Sequence, residues 1–97
     1  MEMYNPAHPG KILKEWIDNK SVEEIAKRLH IEQNALLRIL HGKKSITADF
    51  AVRLEELLPD TDAQFWLSLQ QQYDLWQAKQ RKHEKIIPLS QPLLVTA

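Results

Sequence analysis

The stretch VEEIAKRLHIEQNALLRIL, residues 22–40, contains two short apolar patterns of helical spacing that meet without a Gly or Pro between them. Apolar residues share one helical face in each half: Ile25, Ala26 and Leu29 in the first, and Leu36, Ile39 and Leu40 in the second. The pattern changes phase at Leu29-His30-Ile31, so one straight helix would not bury both sets. Two helices of about eight residues joined by a three-residue turn are the layout of a helix-turn-helix.

The residue types around the turn fit this layout. Ala26 is small, as is needed where the third helix of the chain crosses close over the second, and Ile31 fills the elbow between them. His30 occupies the position where a left-handed backbone is expected, which His adopts more readily than most residues other than Gly. We therefore expect a positive φ at His30 and a third helix that presents its outer face to solvent.

The rest of the chain predicts an all-α fold of five helices, since Gly is scarce and helix-forming residues dominate. Pro9 suits the first turn of the first helix, whose apolar stripe is Ile12, Leu13, Trp16 and Ile17. Predicted N-caps open the later helices: Ser21 with Glu24 as a capping box, Glu32, Thr47, and one of Asp60, Thr61 or Asp62. His41-Gly42 is expected to end the third helix, and Pro59 the fourth.

The length of the chain, 97 residues, is enough for a single domain, which we place at residues 1–85. Its last element is a long helix at about 62–84, predicted to serve dimerisation or partner binding. An irregular tail, 86–97, follows, because it contains two prolines and no charge.

Several classes of protein are disfavoured by what the sequence lacks. It contains no Cys, no apolar run long enough to cross a membrane and no signal-peptide pattern, so we expect a cytoplasmic location. The four histidines lack metal-ligand spacing, and neither a phosphate-binding loop nor a nucleophile–base arrangement is present. We expect no metal, no cofactor and no enzymatic activity.

Charge is segregated along the chain although the net charge is zero. Residues 20–53 hold seven basic and four acidic residues, whereas 54–78 hold five acidic residues and no Lys or Arg. The acidic segment would suit a basic protein partner by electrostatic complementarity, although it is also what a solvated helix face looks like.

The outer face of the third helix carries side chains that can read DNA bases, namely Gln33, Asn34, Leu37 and Arg38. Gln and Asn pair with adenine, Arg pairs with guanine, and an apolar side chain contacts the thymine methyl group. Expected contacts to the DNA backbone come from the following loop and from the start of the second helix: Lys43, Lys44, Ser45, Thr47 and Val22. Glu32, at the start of the third helix, would repel phosphate. The alternative to DNA binding is a pair of crossed helices in another kind of bundle, with these residues in solvent.

An aromatic stripe runs along the fifth helix, and we predict a dimer or partner surface from it: Phe65, Trp66, Leu69, Tyr73 and Trp76. Packing in the core or in a dimer is the favoured use of Phe65 and Leu69, because a small domain needs its large apolar groups. Tyr73 and Trp76 lie further along the helix, where an intermolecular contact is equally compatible with the pattern.

Four segments, HPGKIL, IAKRL, ILHGKKSITADFAVRLEELL and FWLSLQQQYDLWQA, occur in the order and at the spacing of a known family. From about His8 to Lys79 the chain resembles the HigA-type antitoxins of host-inhibition-of-growth toxin–antitoxin modules, small members of the phage-repressor-like (Xre) helix-turn-helix class. The resemblance implies a homodimer that binds a double-stranded operator overlapping its own promoter. It also implies a cognate toxin that is typically a ribosome-dependent mRNA endonuclease.

Two other functions are compatible with the residues. One is a protein-interaction module on a helix-turn-helix frame with little DNA binding, which the neutral net charge and Glu32 would favour. The other is a phage-type repressor without a toxin partner.

Overall fold

Five helices and no strand are found in the computed structural model of the chain, which describes residues 5–18 and 20–89. They are α1 (Pro9–Trp16), α2 (Val22–Leu29), α3 (Gln33–Leu40), α4 (Ala48–Leu57) and α5 (Ala63–Gln80). The predicted all-α, five-helix fold is confirmed. The last helix is shorter than predicted because Arg81 takes extended backbone angles, φ −82° and ψ 143°. Residues 82–89 form neither helix nor strand, and 90–97 of the predicted tail lie outside the described residues.

Three of the predicted N-caps form. Ser21 Oγ accepts from the Glu24 N–H at 3.0 Å, Thr47 Oγ1 from Phe50 at 3.2 Å, and Asp62 Oδ1 from Phe65 at 2.8 Å. Each accepts from the third residue on and satisfies an N–H that has no partner within its helix.

Two details of the capping prediction are wrong. Glu24 does not complete a capping box, because its carboxylate instead pairs with Arg28 one turn later, with Oε2 2.9 Å from Nη2. Glu32 precedes α3 but makes no side-chain cap hydrogen bond. Its side chain is one methylene longer than that of Asp, the acidic residue preferred at N-caps.

The start of α1 is fixed against the end of α3. His8 Nδ1 accepts from the Gly10 N–H at 2.9 Å, so a buried imidazole serves as N-cap, and Pro9 follows as the first helical residue. A Cβ on Gly10 would overlap the carbonyl oxygen of Ile39. Only Gly therefore permits the two helices to approach this closely.

One apolar core lies between the helices: Leu13, Ile17, Ile25, Ala26, Leu29, Leu36, Ile39, Leu40, Ile46, Phe50, Ala51, Leu54 and Trp66. Trp66 is completely buried, and its Nε1 donates to Thr61 Oγ1 at 2.9 Å. The prediction that Trp66 belongs to a dimer or partner surface is therefore wrong. A large ring placed on the inner side of α5 is more stable in the core than in water.

Candidate nucleic-acid interface

The turn between α2 and α3 has the predicted left-handed residue, since His30 has φ 60° and ψ 43°. Arg53 of α4 holds this turn by donating from Nη1 to the carbonyl oxygens of Leu29 at 2.8 Å and His30 at 3.0 Å. Asp49 lies one turn before Arg53, with Oδ2 3.3 Å from Nε. Arg53 also places a positive charge next to the carboxyl end of α2, which is the negative end of the helix dipole, and this arrangement is stabilising. This role of Arg53 depends on the packing of α4 and was not predicted from the sequence.

The outer face of α3 brings together the four predicted base-reading residues. Gln33, Asn34 and Arg38 are exposed and Leu37 is half-buried, whereas Leu36, Ile39 and Leu40 face the core. An amide, a second amide and a guanidinium at this spacing form a surface of donors and acceptors one helix wide. Such a surface fits the major groove, in which base edges present the matching pattern.

The loop after α3 begins with a glycine C-cap. Gly42 has φ 77°, and the Lys43 N–H donates back to the Arg38 carbonyl at 2.8 Å. This bond, together with the one from the Gly42 N–H to the Ile39 carbonyl at 3.0 Å, reverses the chain as in other helices that end in a left-handed glycine. Lys43 and Lys44 emerge exposed from the reversal, next to the carboxyl-terminal turn of α3.

A buried glutamine anchors this loop to α5. Gln70 Oε1 accepts from the Ile46 N–H at 2.8 Å, and Nε2 donates to Ser45 Oγ at 3.4 Å and Asp74 Oδ1 at 2.9 Å. Gln70 is only 5% exposed, so the contact is an internal one. Gln70 was not predicted from the sequence, although its position four residues after Trp66 is a usable signal that a polar group lies on the inner side of the helix.

Two of the predicted backbone-contacting residues are constrained in how they could act. The Thr47 hydroxyl already accepts the Phe50 N–H, so this oxygen is partly committed to its cap. The Val22 side chain packs against the core, and its main-chain N–H in the first turn of α2 is the group suited to a phosphate.

The remaining members of the predicted aromatic surface differ in exposure. Phe65 is exposed, whereas Leu69, Tyr73 and Trp76 are half-buried. Tyr73 packs edge-on against the imidazole of His8, with ring centroids 4.9 Å apart. Leu75, which the sequence analysis did not single out, is 53% exposed on another side of α5.

The environment of His8 shifts the pKa of its imidazole. Burial lowers the pKa of its imidazole from the ordinary value of 6.5, and the nearby Lys11 acts in the same direction, while Asp74 opposes them. The neutral form is favoured, and it is the neutral Nδ1 that accepts the Gly10 N–H.

Residues 5–18 and 20–89 contain no group of three or more His, Asp or Glu side chains placed to hold a metal ion. In the same ranges no helix combines the length and apolar character needed to cross a membrane.

The fold and the exposed α3 face define a helix-turn-helix protein. No protein-family model matches the chain. Virulence-associated protein A′ of Dichelobacter nodosus is 38% identical over 92 residues, covering 93% of this chain and 80% of the relative.

Solved structures give a more specific comparison. An addiction-module antidote protein of the HigA family from Coxiella burnetii is 42% identical, with a TM-score of 0.74 over 79% of this chain and 86% of its own. Antitoxin HigA from Pseudomonas aeruginosa, solved with the higBA promoter, is 36% identical, with a TM-score of 0.73 over 88% and 99% of the two chains. The chain belongs to the HigA family of Xre-type helix-turn-helix antitoxins, as the sequence motifs predicted.

Proposed function

We propose that this protein is an autorepressor that binds an operator next to its own gene through the outer face of α3. The observation that carries the proposal is the exposure of Gln33, Asn34 and Arg38 on one side of a helix whose other side is buried. Support comes from two relatives of at least 30% identity that were solved with DNA: antitoxin HigA with the higBA promoter and antitoxin GraA with its operator.

The proposed contacts divide into two kinds. Gln33, Asn34, Leu37 and Arg38 contact base edges, and Lys43, Lys44, Ser45 and the first turn of α2 at Val22 contact the backbone. The rigid attachment of the loop through Gln70 and of the turn through Arg53 supports this division, because both groups of contacts are held in fixed positions relative to α3.

Binding to the duplex immediately upstream of the gene tests the proposal. We would measure fluorescence anisotropy against a scrambled duplex of equal length at several salt concentrations. Selective binding that weakens steeply with salt is the expected result, because phosphate contacts release counterions. Equal, weak binding to both duplexes by folded protein would overturn it and favour a protein-interaction module on the same frame.

The same proposal includes a homodimer that neutralises a toxin of the mRNA-endonuclease type and acts in the cytoplasm, where the operator lies. A dimer places two copies of α3 on two half-sites about one turn of DNA apart. The exposed Leu75 and the half-buried Trp76 near the end of α5 support an intermolecular role for that helix. Light scattering on the purified chain tests the dimer, and a monomer mass at micromolar concentration would contradict it.

A further inference from the structure

Two exposed aromatic rings flank the buried Trp66. Trp16, at the end of α1, is 45% exposed, and Phe65, in the first turn of α5, is 40% exposed. Both pack edge-on against Trp66, with centroid distances of 6.5 Å for Trp16 and 5.0 Å for Phe65. Trp66 thus fixes the position of two rings that remain open to solvent.

A surface cavity of about 510 Å³ lies at these rings. Its lining is Trp16, Pro59, Asp60, Thr61, Asp62 and Phe65. Three of these six residues are aromatic or apolar, and the charged groups in the lining are the two carboxylates.

The polar groups of the cavity are only partly engaged. Asp62 Oδ1 accepts the Phe65 N–H as the N-cap of α5, which leaves its second oxygen for a ligand. The Thr61 hydroxyl is committed, since it donates to the Leu58 carbonyl and accepts from the indole of Trp66. Within residues 5–18 and 20–89 neither Asp60 nor Asp62 makes a salt bridge.

Cationic side chains line a neighbouring cavity, which shares Trp16 with this one and is bounded by residues of α2. Lys20 and Arg28 lie there together with Glu24, and Arg28 is paired with Glu24. The cavity between Trp16 and Phe65 thus combines negative charge with aromatic rings and has no cation in its own lining.

We propose that this cavity receives an arginine side chain of a protein partner. A planar guanidinium stacks on aromatic rings and donates to carboxylates in a forked geometry, so it satisfies both kinds of wall at once. The proposal rests on the proposed antitoxin function, because it takes the toxin as the protein that supplies the arginine. A protein that acts on RNA carries basic surface residues for the phosphate backbone, which complements the acidic 54–78 segment.

The cavity is separate from the candidate nucleic-acid interface. None of its lining residues belongs to α2, to α3 or to the loop 41–47. The protein could therefore hold DNA and the partner through different residues, and variants of the cavity should leave operator binding unchanged.

A peptide titration of the full chain tests the preference for arginine without any toxin. The probes are acetyl-Gly-Arg-Gly-amide and the matching lysine and citrulline peptides, and the readout is the three indole N–H resonances. We expect the arginine peptide to shift the Trp16 resonance saturably at millimolar concentration, with Trp76 as the internal reference because it lies outside this cavity. Equal shifts with the lysine or citrulline peptide, or no shift with arginine, would overturn the proposal.

The double variant D60N/D62N is the second reagent. Asn caps helices as well as Asp does, so α5 keeps its N-cap while the cavity loses both charges. We expect the variant to lose the arginine-induced shift at unchanged melting temperature, and an undiminished shift would contradict the assignment of the carboxylates.

The partner is tested with the product of the small reading frame adjacent to the gene, bound to the wild type, to D60N/D62N and to Trp16→Ala. Val52→Ala is the control, since Val52 is 49% exposed and lies outside the cavity. We expect the cavity variants to bind at least about tenfold more weakly, a loss of the size seen when one side of a desolvated charge pair is removed. Unchanged binding by both would overturn the cavity and leave the antitoxin function intact. If the wild type does not bind, both the antitoxin function and the identification of the toxin as the partner are overturned. The preference of the cavity for arginine is tested independently by the peptide titration.

Discussion

The side-chain oxygen of Gln70 accepts the main-chain N–H of Ile46 across 24 residues of sequence, at a distance of 2.8 Å. This bond connects the middle of α5 to the loop that follows α3. Both groups are buried, since Gln70 is 5% and Ile46 2% exposed. The position of the loop that carries Lys43, Lys44 and Ser45 is therefore set by the last helix of the domain.

Replacing Gln70 by Ala is expected to destabilise the protein by about 1–3 kcal/mol, because it leaves the buried Ile46 N–H without its acceptor. Operator affinity should fall by a similar factor for specific and scrambled duplexes, since the loop is proposed to contact the DNA backbone. Urea unfolding and anisotropy check the two effects. Gln71→Ala is the control, because Gln71 is the exposed neighbour on the same helix; equal midpoints for the two variants would contradict the anchoring role.

Asn34→Ala and Arg38→Ala are expected to lose about 1–3 kcal/mol of discrimination between the operator and other duplexes for each base contact removed. Both side chains are exposed, so the melting temperature should stay close to that of the wild type. Lys43→Ala is the matched comparison: it should weaken binding to all duplexes and reduce the salt slope by about one. Anisotropy titrations at three salt concentrations measure both quantities, and undiminished selectivity in both α3 variants would contradict base reading by this face.

Gly10→Ala is expected to lower the free energy of unfolding by about 1–3 kcal/mol. The new methyl group would overlap the Ile39 carbonyl and force α1 away from α3. The measurement is thermal unfolding followed by circular dichroism. Lys14→Ala in the same helix serves as control, since Lys14 is exposed. If Gly10→Ala melts together with Lys14→Ala, the two helices are not as closely packed as described.

Stability should fall as the pH drops below about 6.5 because of His8. Its pKa is lowered in the folded protein, so unfolding is accompanied by proton uptake between the folded pKa and 6.5. The contribution of His8 to the free energy of unfolding is therefore complete above pH 6.5, and it decreases as the pH falls towards the pKa of His8 in the folded protein. His8→Asn keeps an N-cap acceptor but does not titrate in this range. As the pH falls from 7.5 to 5.5, the melting temperature of the wild type should fall relative to that of His8→Asn. A constant difference would contradict the lowered pKa.

The local features of the fold could be predicted from the sequence because each depends on residues close together in the chain. The number of helices, the left-handed His30 and the caps at Ser21, Thr47 and Asp62 are of this kind. The hydrogen bonds of Arg53 to the α2–α3 turn and of Gln70 to Ile46 are not, since they depend on how α4 and α5 pack.

The burial of Trp66 shows why the inner side of α5 was difficult to identify. At about 100° per residue, the five residues of the predicted aromatic stripe cover an arc of about 100°, wide enough to face the core in more than one way. The core lies at one edge of this arc, where Trp66 and the polar Gln70 are buried, whereas Phe65 at the other edge remains in solvent. A pattern based on apolar residues alone points to the middle of the arc and misses both Gln70 and the rotation of the helix.

Helix α3 is only eight residues long and is fixed at both ends by residues that do not belong to it. Arg53 holds the turn before it, and the close contact of Gly10 with Ile39 holds its last turn. The outward-facing side chains of α3 take no part in either of these contacts. Such a separation leaves the outer face free to vary. Under the proposed function, Gln33, Asn34 and Arg38 could be replaced during evolution, and the operator changed, without repacking the domain that carries them.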